Sequence, residues 1–207
     1  MSLAEFVLLP PKKMPKKMNN FNMVIAGVGG QGLITITQII AEAAQAEGYE
    51  IRTSELHGLS QRGGSVETHV RFGGEVYSPL VGLGEADLVL SLEMQEALKV
   101  FSYSSKNTVF LVNKKYIPFE NNLPEAEVEK KINELVKGEK HLIAASEICQ
   151  KELNAEVVSG IYLLGYAVFN KLIPLKPESM LKGISEIVPQ KYLELNKKAF
   201  ELAKKNG

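Results

Sequence analysis

The chain has 207 residues, 45% hydrophobic and 23% charged, the composition of a globular protein long enough to bury a full core without staples. Its 24 basic and 24 acidic residues cancel, so no overall field draws nucleic acid, and a small molecule or another protein is the expected partner. One cysteine, Cys149, rules out an intramolecular disulfide and a cysteine-held metal or iron–sulfur cluster within this chain.

Residues 1–20 carry four lysines (Lys12, Lys13, Lys16, Lys17) and three prolines (Pro10, Pro11, Pro15), the pattern of a mobile basic arm. The apolar run Phe6-Val7-Leu8-Leu9 precedes those lysines, the reverse of a secretory signal. No run approaches the roughly 18 apolar residues of a membrane span, so a cytoplasmic protein that avoids membranes is expected. Residues 21–207 read as a single α/β domain.

That domain opens with Met23-Val24-Ile25-Ala26, a buried strand, and passes directly into Gly27-Val28-Gly29-Gly30-Gln31-Gly32. Over 33–46, Leu33, Ile36, Ile39, Ile40, Ala43 and Ala44 share one helical face, and Gly48 is placed to end the helix. A second strand is predicted at 49–56, with Ile51 in the core. A second loop follows, His57-Gly58-Leu59-Ser60-Gln61-Arg62-Gly63-Gly64. The alternating runs 65–72 and 75–78, split by Gly73-Gly74, predict a β-hairpin and therefore a mixed sheet. His69 falls on the face opposite Val66 and Val70 and is expected at a surface or an interface.

Further on, 86–92 and 108–112 read as buried strands, 93–101 and 125–137 as helices, and 113–122 as a loop. Ser146 is placed to cap a short helix reaching Leu153, within which Cys149 is a buried small hydrophobe. His141, after a lysine-rich helix end, is expected in solvent. The apolar stretch 157–172, with Gly160 and Gly165, predicts a helix buried against the sheet or another subunit. Helices at 178–187 and 190–205 close the chain. The sum is a three-layer α/β/α sandwich with a Rossmann-like entry, a mixed sheet and a helical C-terminal end.

Gly27, Gly29 and Gly32 satisfy G-x-G-x-x-G between strand and helix, where backbone N–H groups and the helix dipole favour an anion. A dinucleotide site also needs a carboxylate at the end of the second strand. Glu55 lies near that end and Glu50 at the start, an imperfect placement. In the second loop Arg62 is built for bidentate contacts to phosphate or carboxylate, Gly63 and Gly64 expose backbone donors beside it, and His57 and Gln61 add neutral partners. A purely structural role for either loop stays open: tight packing for the first, a chain turn for the second. Three scattered histidines give no metal-ligand spacing.

At these residues the sequence resembles a known family. The glycine loop 27–32, the run Ser54-Glu55-x-His57-Gly58-x-Ser60-Gln61-Arg62-Gly63-Gly64-Ser65-Val66, and the runs His69 to Gly73, Glu75 to Pro79 and Glu85-Ala86-Asp87 look like the gamma-type domain of the 2-oxoacid:ferredoxin oxidoreductases. The pattern is most similar to the small subunit of the indolepyruvate branch. The resemblance implies oxidative decarboxylation of a 2-oxoacid on thiamine diphosphate with magnesium, electrons passed through iron–sulfur clusters to ferredoxin, and an acyl group released to coenzyme A. It also implies that thiamine and clusters belong to a larger partner subunit and that this chain is inactive alone. Gly27, Gly29, Gly30, Gln31 and Gly32 would form a phosphate-binding turn, and His57, Gln61, Arg62, Gly63 and Gly64 a second loop facing the active site or coenzyme A; neither supplies a nucleophile. Two other readings stand beside it: a stand-alone NAD(P)-dependent dehydrogenase, and a nucleotide-sensing module, homodimeric and without enzymatic activity.

Overall fold

The first strand, β1 (Phe21–Val28), is the axis of the molecule because its residues from Met23 onward are buried on both faces. In the computed structural model, which describes residues 19–58, 64–118 and 123–206 (for His57 and Asn206 the backbone alone), β1 belongs to a six-stranded sheet. The other strands are β2 (Glu50–His57), β3 (Ser65–Gly73), β4 (Leu88–Ser91), β5 (Val109–Asn113) and β6 (Lys140–Ile143). Their order across the sheet is β2-β3-β1-β4-β5-β6. Pairings β1–β4, β4–β5 and β5–β6 are parallel, whereas β3 is antiparallel to both β1 and β2. The sheet is mixed, as expected.

Seven α-helices are found among the described residues: α1 (Leu33–Ala46), α2 (Met94–Lys99), α3 (Glu125–Leu135), α4 (Ala145–Leu153), α5 (Ser159–Phe169), α6 (Pro177–Ile187) and α7 (Gln190–Leu202). Alternate residues of each strand feed opposite cores. Met23 and Ile25 of β1, Leu88 and Leu90 of β4 and Leu111 of β5 pack under α1 and α4 to α7. Val24, Ala26, Val89, Phe110 and Val112 pack under α2, α3 and the segment around Val81. Three layers result.

Several local expectations are corrected. The hairpin is β2–β3, closed through residues 58–64, and 75–78 forms no strand. The backbone of that segment is satisfied by side chains of the edge strand: Val76 N–H donates to Glu50 Oε2 (3.0 Å), and Arg52 Nε donates to Val76 O. His69 is buried, because Val81 N–H donates to its Nδ1 (2.9 Å) and its Nε2 meets Glu67 Oε1 (2.7 Å). His141 lies on β6, a strand not foreseen, and contacts Tyr166 Oη (3.0 Å) and Glu139 (2.7 Å). Ser146 does not cap α4; Ala144 stands there, and the Ser146 hydroxyl accepts from Asn113 Nδ2 (2.9 Å).

Other expectations hold. Helix α1 has the foreseen bounds, and Gly48, at φ +85°, follows its end. Cys149 is fully buried, and desolvation pushes its thiol up to about 11. Of the two settings offered for the apolar stretch, the chain supplies its own: α5 packs on α7 so closely that a Cβ on Gly165 would lie 2.3 Å from Phe200 O. Among the described residues no helix is long and apolar enough to cross a membrane. The expected basic arm falls outside the described residues except for 19 and 20.

Candidate functional site

Chain direction places the site. From β1 the chain turns toward β3 and β2, and then returns to β4 on the other side. The carboxyl ends of β1 and β4 are therefore the point where the winding reverses, and in open α/β sheets ligands bind in the crevice outside such ends. The glycine turn sits there.

Val28 O accepts from Gln31 N–H (3.1 Å), and Gln31 Oε1 accepts from Val28 N–H (2.7 Å), so main chain and side chain together hold the turn. Gly27 is needed for this arrangement, since a Cβ on it would stand 2.7 Å from Gln31 Oε1 and 3.3 Å from Leu92 Cβ. Gly32, at φ +80°, occupies the N-cap of α1 in a region hostile to other residues. No side chain caps this helix, and its first amides lack intrahelical partners and carry the positive end of its dipole.

The two loops meet. Gly29 N–H donates to Gly64 O (2.9 Å), which ties the far end of the second loop to the turn, while Gly58 N–H donates to Ser65 O (3.0 Å) and holds the two ends of that loop together. The expected site residues Gly27, Gly29, Gly30, Gln31, Gly32 and Gly64 are thereby brought together. Gln61, Arg62 and Gly63 lie outside the described residues, as does the His57 side chain.

A cleft of about 360 Å³ opens beside the turn, lined by Gly30, Gln31, Leu92, Lys115, Ser146 and Glu156 among others. Each of Leu92, Lys115 and Ser146 follows the carboxyl end of a parallel strand: β4, β5 and β6. Lys115 is fixed by its backbone, whose carbonyl accepts from Met94 N–H (2.9 Å). Its ammonium pairs with Glu156. That ammonium and, to a smaller degree, the Ser146 hydroxyl hold the Glu156 carboxyl below the usual range. Under the cleft, buried Asn113 donates through Nδ2 to Leu92 O (3.2 Å) and Ser146 Oγ, and accepts from Ser146 N–H (3.2 Å), tying three strand ends together.

Glu93, also buried, caps α2 by accepting from Glu96 N–H (2.9 Å) and from Ile117 N–H (3.1 Å); desolvation nevertheless raises its carboxyl. A second groove, of about 350 Å³, continues from Gln31 and Val157 past Thr35 and Ile36 to Pro189 and Tyr192. Val157 is 80% exposed and Tyr192 48%, an apolar rim beside the cleft.

Lys115, Glu156 and Asn113 were not singled out in the sequence, and Ser146 only as a helix cap. The available signal was the position of Lys115 just past the apolar run 108–112, where a parallel strand delivers side chains to the ligand edge.

The pyruvate ferredoxin/flavodoxin oxidoreductase family profile matches residues 22–205, almost the whole chain. The chain belongs to this family. The indolepyruvate oxidoreductase subunit IorB of Thermococcus kodakarensis is 37% identical over 194 residues, covering 91% of this chain and 96% of that one. Subunit PORC of the Thermotoga maritima pyruvate oxidoreductase superimposes with a TM-score of 0.68 at 22% identity, over 91% and 97% of the two chains. A 2-oxoglutarate:ferredoxin oxidoreductase of Magnetococcus marinus, solved with 2-oxoglutarate, coenzyme A and succinyl-CoA, gives 0.70 at 20% identity, over 91% of this chain and 31% of that one. At such identities these two likenesses speak for the fold.

Strand order separates this family member from an ordinary dinucleotide-binding domain. β3 stands between β1 and β2, so Glu55 is one further strand spacing, about 4.8 Å, from the glycine turn. The acidic partner of a ribose is displaced, which removes the geometric basis of the dehydrogenase reading.

Proposed function

We propose that this chain is the small subunit of a 2-oxoacid:ferredoxin oxidoreductase acting on indolepyruvate or a related aryl pyruvate. The complex decarboxylates the 2-oxoacid oxidatively, forms acyl-CoA, and hands the electrons to ferredoxin. The observation that carries this reading is the 37% identity to an indolepyruvate oxidoreductase subunit across 96% of its length.

The residues of this chain do not fit an iron–sulfur cluster. Its one cysteine is buried in the helical core with its thiol shifted up, the opposite of a thiolate ligand. Among the described residues no three His, Cys, Asp or Glu are grouped to hold a metal. In this reading clusters and thiamine diphosphate with its magnesium belong to a larger partner subunit. This chain's share is to complete the active site and to receive coenzyme A phosphates. The cleft beside the glycine turn 27–32, with the Lys115 ammonium in its lining, and the loop from His57 to Gly64 with the Arg62 guanidinium support that role, since both cations suit phosphate. The apolar rim at Val157 and Tyr192 gives a partner a surface beside the site.

The test is an anaerobic affinity purification of the tagged chain from its native lysate, with assay of 2-oxoacid-dependent reduction of a viologen dye. The expected result is a co-purifying larger subunit, iron–sulfur absorbance, and coenzyme A-dependent activity highest with aryl pyruvates. A chain recovered alone, without dye reduction, would overturn the reading.

A further inference from the structure

The polar cleft holds a cation that is already engaged. The Lys115 ammonium pairs with Glu156, and the same carboxylate takes a hydrogen bond from Ser146 at the cleft wall. Both partners are reachable from water, the lysine side chain at 32% exposure and the glutamate at 44%. A pair so open is screened and weakly held. The backbone beneath it is not: Lys115 O is fixed to Met94, its N–H donates to Asn113 O (2.7 Å), and Asn113 binds Leu92 and Ser146. The lysine is thus anchored at its Cα and held at its tip only by Glu156, which projects from the short turn ahead of α5.

Gly30 and Gln31 line the same cleft, so an anion there meets the glycine turn on one side and an ammonium on the other. What opposes it is Glu156, which holds the cation and repels a second negative charge. We infer that the cleft is a phosphate site whose cationic ligand is Lys115, and that Glu156 is a built-in competitor which an incoming phosphate monoester or diphosphate displaces. This assignment rests on the coenzyme reading only for the ligand's chemical class. Lys115 exchanges one anionic partner for another, and no bond is made or broken in the ligand.

The consequence has an unusual sign, since removing a polar side chain from the site tightens it. Inorganic pyrophosphate is titrated calorimetrically into the full chain at low ionic strength, for the wild type and for Glu156→Gln, Lys115→Gln and the double variant, each checked by thermal melting. Glu156→Gln is expected to bind about three- to fivefold tighter, the equivalent of removing one exposed charge–charge competition. Lys115→Gln is expected to bind about tenfold weaker or not at all, and the double variant no tighter than the wild type. Equal or weaker binding by Glu156→Gln, or undiminished binding by Lys115→Gln, overturns the proposal. Should Glu156→Gln fail to fold, Glu156→Asp, whose shorter arm loosens the pair, must still bind more tightly than the wild type. If no form of the chain binds pyrophosphate, this site falls, whereas the subunit reading stands or falls on co-purification.

Discussion

His69 shows how one side chain joins sheet and loop. Because Val81 N–H donates to its Nδ1, the imidazole proton sits on Nε2 and points at Glu67. The hydrogen bond from His69, more than the partial burial that opposes it, lowers the Glu67 carboxyl below its usual range. A carboxylate with a depressed folded value contributes stability that is complete above the ordinary pKa, about 4.3, and is lost as pH falls through the lowered one. Urea titrations between pH 7 and 3 should therefore show Glu67→Gln less stable than the wild type at neutral pH, the difference shrinking in acid. At the site, Asn113→Ala strips partners from Ser146 and Leu92 O in a buried spot. The expected loss is about 2 kcal/mol, read as a lower urea midpoint at unchanged slope. Glycine loops announce themselves in a sequence because few other residues permit their geometry. Lys115 and Glu156 do not, since a charged residue after a strand reads the same whether it meets solvent or a cleft, and only the fold brings positions 115 and 156 together.

Elements with strong periodicity were legible: α1 and α3 follow from their apolar spacing. The misplaced hairpin has a specific cause. Gly73-Gly74 between alternating runs is a turn signal, yet Glu50 and Arg52 of the edge strand engage the backbone of Val76 and leave no ladder for β1's neighbour to extend. β6 was missed because its four residues are only half-buried at a sheet edge and show no continuous apolar run. Helix α5, apolar nearly all round, could not reveal its neighbour, because spacing carries no directional signal when every face is greasy. Its contact with α7 is backbone against backbone at Gly165. Gly165→Ala should force the helices apart and cost about 1–3 kcal/mol, seen as a drop of several degrees in Tm, although alanine improves intrinsic helix propensity.

At the scale of the whole molecule, a net charge of zero leaves association with a partner to apolar contact and local pairing. Val157→Asp, a change on an 80% exposed side chain, should leave Tm within a degree or two while weakening assembly, measured by sedimentation of the complex. A shift in Tm without a shift in assembly would assign Val157 to the fold. The arrangement of β1, β2 and β3 carries a further consequence, for how such a chain can change over time. Residues 58–64 close a hairpin whose register is fixed by Val66, Val70 and Phe72, all facing the core, and a slip by one residue would turn them outward. The loop itself therefore has little to do with pairing. Doubling its length adds only about 0.6 kcal/mol of closure entropy. Change between residues 58 and 64 therefore costs folding little, and what restrains that segment is whatever it must contact, not the sheet it closes.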